Sequence, residues 1–173
     1  GLTWVIDRIH VCAPIHFTNL RRNEVKSTIP ARNVRTVMER GSGDLYLSTS
    51  KDIQQRAALL LRVVHYVIEA HFEMTEKANA SDNPGKFKDI IMRRLRKGEF
   101  YYMPYFGCRE FSAHFALCEE EEIHTAYDVV EEKDLGIMLF DMDYSDPENI
   151  QPMFFRAIMR HGVVDLRDCE VLR

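Results

Sequence analysis

A strand pattern followed by a helix pattern constrains the fold of this chain most. From Val64 to Phe72, apolar or aromatic residues alternate with mostly polar ones, which predicts a half-buried β-strand. Asn83-Pro84 is typical of a helix start because proline suits the first helical position, and Gly98 is typical of a helix end. The residues predicted to share the packed face of this helix are Phe87, Ile90, Ile91 and Leu95. The chain is therefore expected to contain a strand and a basic amphipathic helix in one α+β fold.

The rest of the chain adds further strand patterns. The predicted strands are Trp4–Val11, Leu45–Leu47, Phe111–Leu117 and Asp134–Tyr144; Phe154–Leu166 is helix-like or strand-like, and Thr18–Lys26 is interpreted as an irregular loop. The order strand, strand, helix, strand is what a ferredoxin-like βαββαβ unit retains without its first strand and helix. The chain opens as though already inside a strand, so we expect an N-terminal piece of the natural protein to be absent.

Length and composition limit the number of domains and the class of protein that this chain can form. The 173 residues suffice for one domain with a good core, or for one domain and a small appendage. No apolar run approaches the roughly 20 residues that a membrane span needs, so the sequence predicts a soluble protein without a membrane partner. Four scattered cysteines without a CxxC pair favour a reducing cytoplasm over a disulfide framework or zinc ribbon.

Charge is distributed unevenly around a net value of −4. Residues 20–40 contain six basic and two acidic residues, a local surplus of +4, and residues 86–109 contain seven basic and two acidic residues, a surplus of +5. A run of glutamates from Glu119 then supplies much of the negative total and indicates an exposed loop or domain border, which divides the chain into 1–118 and 119–173.

A solvated surface is the simplest interpretation of one basic cluster, but two clusters beside aromatic residues favour single-stranded RNA. Rings next to guanidinium groups can stack on unpaired bases, while the cations bind phosphates. The candidate RNA-binding residues are Arg21, Arg22, Lys26, Arg93, Arg94, Arg96, Lys97, Tyr101, Tyr102 and Arg109. Arg109 and its neighbour Glu110 could equally form a structural ion pair.

Two histidines on the predicted strand are candidates for acid–base chemistry. His65 and His71 share a strand face with Glu69, and a carboxylate beside an imidazole can hold its tautomer and raise its pKa. Histidines on a sheet face are more commonly structural. A metal site from the same three residues is less favoured because no further ligand has suitable spacing. Lys88, Tyr101 and Tyr102 are weaker catalytic candidates.

Seven segments, in order along nearly the whole chain, resemble the Cas-five family of the Dvulg subtype, from type I-C CRISPR systems, within the CRISPR-associated RAMP superfamily. They are Trp4-Val-Ile-Asp7, Phe17-Thr-Asn-Leu-Arg-Arg-Asn-Glu-Val25, Gln55-Arg-Ala57, Ile68-Glu-Ala-His-Phe72, Asn83-Pro-Gly-Lys86, Gly107-Cys-Arg-Glu-Phe111 and Asp134-Leu-Gly136. The resemblance implies a ferredoxin-like (RRM-like) N-terminal domain and a small antiparallel β C-terminal region.

The resemblance also implies a function. Such proteins cut precursor CRISPR RNA beside its repeat hairpin without a metal ion or cofactor, then stay on the 5′ handle with other subunits of an interference complex. DNA is left open as a further partner. The family's catalytic set is a tyrosine from the first helix and a Lys-His pair opening the second. Here the pair is Lys86-Phe87, and the tyrosine would precede Gly1.

Three hypotheses follow from the sequence. The first is a precursor-RNA endoribonuclease that is also a complex subunit, with Lys86 matched to the family's catalytic lysine. The second is a subunit that binds RNA without cutting it, because the ring of Phe87 cannot carry a proton as histidine can. The third is a generic α+β protein whose basic helix is only a solvated surface.

Overall fold

The computed structural model describes residues 1–172 and has a mixed α+β fold with mostly antiparallel strands. Its elements, in chain order, are β1 (Leu2–Val11), β2 (His16–Val25), α1 (Ala31–Arg40), a 3-10 turn (Thr49–Lys51), β3 (Ile53–Arg62), β4 (Tyr66–Met74), α2 (Pro84–Lys97), β5 (Lys133–Asp143), β6 (Gln151–Arg160), β7 (Val163–Asp165) and β8 (Val171–Leu172). Six strands form one sheet in the order β4-β1-β7-β6-β5, with β8 beside β6.

The core lies on one face of this sheet. Val11, Phe155, Ala157, Met159 and Val164 are its buried apolar residues. Alternate residues of a strand point to the same face, so Phe155, Ala157 and Met159 line up along β6, and Met159 is opposite Val164 in the pairing of β6 with β7. Burial of these side chains supplies the main hydrophobic contribution to this part of the fold.

A two-residue turn fixes the register of β6 and β7. His161 and Gly162 have φ angles of 48° and 78°, the positive values that tight hairpin turns require. The carbonyl of His161 accepts a hydrogen bond from the Thr125 hydroxyl, and the carbonyl of Gly162 accepts one from the Val11 amide. The turn therefore ties the β6–β7 hairpin to β1 and to the loop before β5.

Residues Ile15–Val64 form a separate compact unit, built from α1 and a ribbon of β2 and β3. The two strands pair antiparallel from His16↔Arg62 to Val25↔Ile53. No residue between Ile15 and Val64 is fully buried. The other unit contains Gly1–Pro14 and the described chain from His65 onward.

The structure corrects the prediction that Thr18–Lys26 is an irregular loop. Most of this segment belongs to β2, because its backbone groups find partners on β3, 28 to 42 residues further along the chain. A ribbon with both faces accessible tolerates the arginines and asparagines that made the segment look loop-like. The sequence interpretation also overlooked α1, whose apolar Val34, Val37 and Met38 follow helical spacing and which ends at the left-handed Gly41.

Four other predicted elements are confirmed, with small shifts of their ends: Trp4–Val11 as β1, Val64–Phe72 as β4, Pro84–Lys97 as α2 and Asp134–Tyr144 as β5. Phe154–Leu166 is strand, turn and strand. On β4, however, Ile68 is 55% exposed, so the apolar face predicted to be half-buried is only partly covered.

Two predicted strands are wrong. Leu45–Leu47 has no strand neighbour, and Phe111–Leu117 contributes only an isolated bridge between Tyr105 and Ser112. A short apolar run becomes a strand only where another backbone satisfies its amides and carbonyls, and neither run has such a neighbour.

The proposed border after Cys118 stays a prediction. Chain on both sides of it meets in one sheet, since β7 pairs with β1 through Arg8↔Asp165 and Ile9↔Val164. Within residues 1–172, neither helix has the length and apolarity to cross a membrane.

Candidate functional site

The basic helix α2 forms where the sequence predicts it. The Asn83 side chain accepts a hydrogen bond from the Lys86 amide at 2.9 Å and caps the helix start, while Gly98, with φ of 65°, ends it. The predicted apolar face is the more covered one, although no residue of α2 is fully buried. The cations project from the rest of the helix into solvent, and we call them the helix surface: Lys86, Lys88, Arg93, Arg94, Arg96 and Lys97.

Carboxylates lie beside several of these cations. The Lys86 ammonium is 2.8 Å from a carboxylate oxygen of Asp82, and this hydrogen bond is the main reason why the pKa of Asp82 is lowered. Arg96 contacts Glu119 at 3.1 Å. Lys86 Nζ also lies 5.8 Å from the ring centroid of Phe87, so this aromatic ring packs under the lysine.

Two exposed tyrosines follow the helix. Tyr101 is 90% and Tyr102 is 75% exposed, and their ring centroids are 4.6 Å apart in an edge-to-face arrangement. Phe106, by contrast, packs edge-on against Tyr66 of β4 and anchors the loop. The loop therefore holds two aromatic side chains in solvent, four and five residues after Lys97 of α2. Rings in this position can stack on unpaired bases.

Arg109 lies in the same loop. It follows Gly107, whose φ is 72°, and Cys108, in a turn closed by the hydrogen bond from the Phe111 amide to the Cys108 carbonyl. The arginine is exposed.

The cations of the first basic cluster belong to the ribbon unit. Arg21 and Arg22 are on β2, and Lys26 follows its end, where its amide donates to the Asp52 carbonyl. The Arg22 guanidinium is 2.8 Å from Glu24, which also pairs with Arg56 of β3 at 3.3 Å. Arg56 was overlooked because its place opposite Arg22 depends on a long-range strand pairing.

His71 on β4 has a carboxylate partner, but a different one from that suggested by sequence spacing. Its Nδ1 lies 2.9 Å from Asp7 of β1, and its Nε2 lies 3.8 Å from Glu73. The hydrogen bond with Asp7 is the main cause of the raised pKa of His71. Asp7 faces His71 because the β1–β4 register shifts between Ile6 and Arg8, a bulge that redirects the extra residue.

Glu69, the partner expected for His71, instead contacts two side chains of β1. It lies 2.6 Å from His10 Nε2 and 3.2 Å from Arg8, and Arg8 continues to Asp165 of β7 at 3.2 Å. The structure does not bring His65, Glu69 and His71 together as a set of metal ligands. Within residues 1–172 no group of three or more His, Cys, Asp or Glu residues is arranged to hold a metal ion.

The family of the chain is clear from comparison with known proteins. The family model Cas5d, described as CRISPR-associated protein (Cas_Cas5), matches residues 1–167. The chain belongs to this Cas5 family of CRISPR-associated proteins, and the resemblance found in the sequence is confirmed.

Two curated relatives are named CRISPR pre-crRNA endoribonuclease Cas5d. The one from Mannheimia succiniciproducens is 42% identical over 170 residues, which cover 96% of this chain and 75% of the relative. The one from Thermus thermophilus is 32% identical over 130 residues, or 65% of this chain and 54% of the relative.

Solved structures share the fold. A functionally uncharacterized protein from Streptococcus mutans matches 99% of this chain and 76% of its own with a TM-score of 0.62 at 22% identity. A structure described as a CRISPR-associated protein matches 99% of this chain and 75% of its own with a TM-score of 0.63 at 21% identity.

Proposed function

We propose that this chain is an endoribonuclease that cuts precursor CRISPR RNA at the repeat hairpin, without a metal ion, and then stays bound to the 5′ handle as a subunit of an interference complex. The observation that carries the proposal is the match of residues 1–167 to Cas5d, a family in which two curated relatives are named pre-crRNA endoribonucleases. It acts in the cytoplasm, and its sheet and α2 form the ferredoxin-like part of the fold.

RNA binding is assigned to the helix surface and to Tyr101, Tyr102 and Arg109. Cations bind the phosphate backbone without regard to sequence, and this contribution weakens as salt rises. The two exposed rings supply stacking for unpaired bases beside the hairpin. Arg21, Arg22 and Lys26 give the ribbon unit a second phosphate-binding surface.

Cleavage without a metal ion uses the 2′-OH next to the scissile phosphate as nucleophile. The protein then has to remove the proton of the 2′-OH, stabilise the charge on phosphorus and protonate the leaving oxygen. Lys86 is assigned to the phosphate charge, with Lys88 as a second candidate. His71 is assigned to proton transfer: when its Nδ1–H donates to Asp7, Nε2 is the basic nitrogen.

A cleavage assay in EDTA tests the activity. The expected result is a single cut in cognate repeat RNA that leaves a 2′,3′-cyclic phosphate, and no cut when the 2′-OH at that position is replaced by hydrogen. A requirement for a divalent cation, or a product without the cyclic phosphate, contradicts the mechanism.

Substitutions test the residue assignments. Lys86→Ala and His71→Asn are each expected to slow cleavage about 100-fold or more, as for loss of a charge stabiliser or a general acid–base group. Hairpin affinity should fall by less than about tenfold in Lys86→Ala, because the other cations of the helix surface still bind phosphates, and should change little in His71→Asn. The matched controls are Lys77→Ala and His114→Asn, which alter exposed residues of the same types. Equal rates for His71→Asn and His114→Asn would remove His71 from the mechanism.

Phe87 favours a second candidate function, an RNA-binding scaffold of the same complex without nuclease activity. Its ring has no proton to transfer, and it packs under Lys86. Tight, salt-sensitive hairpin binding without any product supports this function, and robust cutting removes it. Competition by DNA of the same sequence tests whether DNA is also a partner.

A further inference from the structure

Acidic side chains pair with most cations of the helix surface. Lys86 contacts Asp82 at 2.8 Å, and both Arg94 and Lys97 contact Glu99 at 3.9 Å. These carboxylates lie on residues that immediately flank α2. In the described chain Lys88 and Arg93 have no ion pair, so they are the cations of this surface that meet RNA phosphate without displacing a carboxylate.

Glu119 differs from these neighbours because it comes from a distant part of the chain. It is the first of four consecutive glutamates, 23 residues after Arg96. One of its carboxylate oxygens lies 3.1 Å from both Nε and Nη2 of Arg96. A phosphate oxygen would use the same two donors, since guanidinium presents them as a fixed fork. Carboxylate and phosphate therefore cannot occupy this fork of Arg96 together.

We propose that Glu119 is an internal competitor of RNA at Arg96, which lowers the sequence-independent affinity of the helix surface; this inference rests on the proposed function. The pair lies in solvent, with Arg96 60% and Glu119 66% exposed, so it opens at small cost. An RNA that makes many contacts displaces Glu119 readily. An unrelated RNA that relies on a few phosphate contacts binds more weakly than it would if Glu119 did not occupy Arg96.

The other glutamates of the run provide a matched control. In contrast to Glu119, Glu121 forms no ion pair with any described residue. Glu119→Gln and Glu121→Gln each change the net charge from −4 to −3, because each removes one negative charge. A difference between the two variants therefore measures the contact with Arg96, and an effect that they share measures long-range charge.

The experiment measures binding of the full chain to an unrelated single-stranded RNA over a range of salt concentrations. Glu119→Gln is expected to tighten binding about 1.5- to fivefold more than Glu121→Gln at low salt, the range for one exposed ion pair. It is also expected to steepen the slope of log affinity against log salt by about 0.7, as for one additional phosphate contact on a single strand.

Arg96→Gln completes the test. It is expected to weaken binding by itself, and in its background Glu119→Gln and Glu121→Gln should have equal effects. The proposed competition is wrong, while the proposed function stands, if Glu119→Gln and Glu121→Gln change RNA affinity equally in the wild-type background. The same conclusion follows if their effects on affinity still differ in the Arg96→Gln background. If the wild-type chain binds neither this RNA nor the repeat hairpin, the proposed function and the competition are both wrong.

Discussion

The six-stranded sheet and the β2–β3 ribbon both contain ten-residue strands but bury very different amounts of apolar surface. β1 and β2 have 10 residues each, yet β1 ends in the buried His10 and Val11, whereas no residue of the ribbon is fully buried. A sheet with one packed face gains hydrophobic stability, while an isolated two-stranded ribbon is marginal in water. Substitutions in the sheet should therefore change folding, and substitutions in the ribbon should change mainly its surface interactions.

The largest expected difference comes from matched truncations of apolar residues. Met159 on β6 has no exposed surface, whereas Leu59 on β3 is 64% exposed. Met159→Ala should lower the free energy of unfolding by about 2–4 kcal/mol, because it removes buried methylene groups and leaves a cavity. Leu59→Ala should cost less than about 0.5 kcal/mol. Urea denaturation measures the free energy of unfolding of both variants. Equal losses would contradict the contrast between the packed sheet and the exposed ribbon.

The hairpin turn of the sheet gives the next effect. A Cβ at Gly162 would collide with the Thr125 side chain, in a backbone conformation that already disfavours other residues. Gly162→Ala should destabilise the protein by about 2–3 kcal/mol, whereas Gly107→Ala, with similar φ and open space around it, should cost about 1 kcal/mol. Thermal melting of the two variants distinguishes collision from backbone strain. Equal losses of stability would mean that the Thr125 side chain moves aside without cost.

A smaller, local effect is expected at the end of the ribbon. The Asp52 carboxylate accepts hydrogen bonds from the Ser27 amide and hydroxyl at 2.9 and 3.0 Å. Asp52→Ala should lower the protection of β2 and β3 amides from hydrogen exchange by about 1 kcal/mol and leave the sheet amides unchanged. Asp44→Ala, in an exposed loop, is the control. Equal loss of protection in the sheet would show that the two units unfold together.

The smallest effect concerns protonation on the sheet. The hydrogen bond with Asp7 raises the pKa of His71, so Asp7→Asn should lower that pKa, and Glu73→Gln should lower it less. Because the folded state favours the protonated imidazole, this stabilisation is fully present below about pH 6.5 and is lost as pH rises through the folded pKa. NMR titration of His71 measures the pKa. An unchanged value in Asp7→Asn would contradict the assigned pair.

The sequence predicted elements whose signals are local. Asn83, Pro84 and Gly98 specify the ends of α2 by capping, and the alternation in Val64–Phe72 predicts β4. The loop assigned to Thr18–Lys26 was wrong because a polar strand is recognisable only through its partner, β3. Asp7 was overlooked as the partner of His71 for the same kind of reason, since a bulge in the pairing of β1 with β4 aims its side chain.

What the sequence alone determined is the chemistry available: the basic helix, the tyrosines after it, the family, and an aromatic ring at Phe87 beside Lys86. These depend on residue identity and short spacings, which need no folded chain. Only the tertiary structure decided which charges meet, because strand register and loop path bring together Asp7 with His71, and Glu119 with Arg96. The basic helix can be recognised from the 16 residues between Asn83 and Gly98, but the carboxylate that competes with RNA for Arg96 lies 23 residues after that arginine.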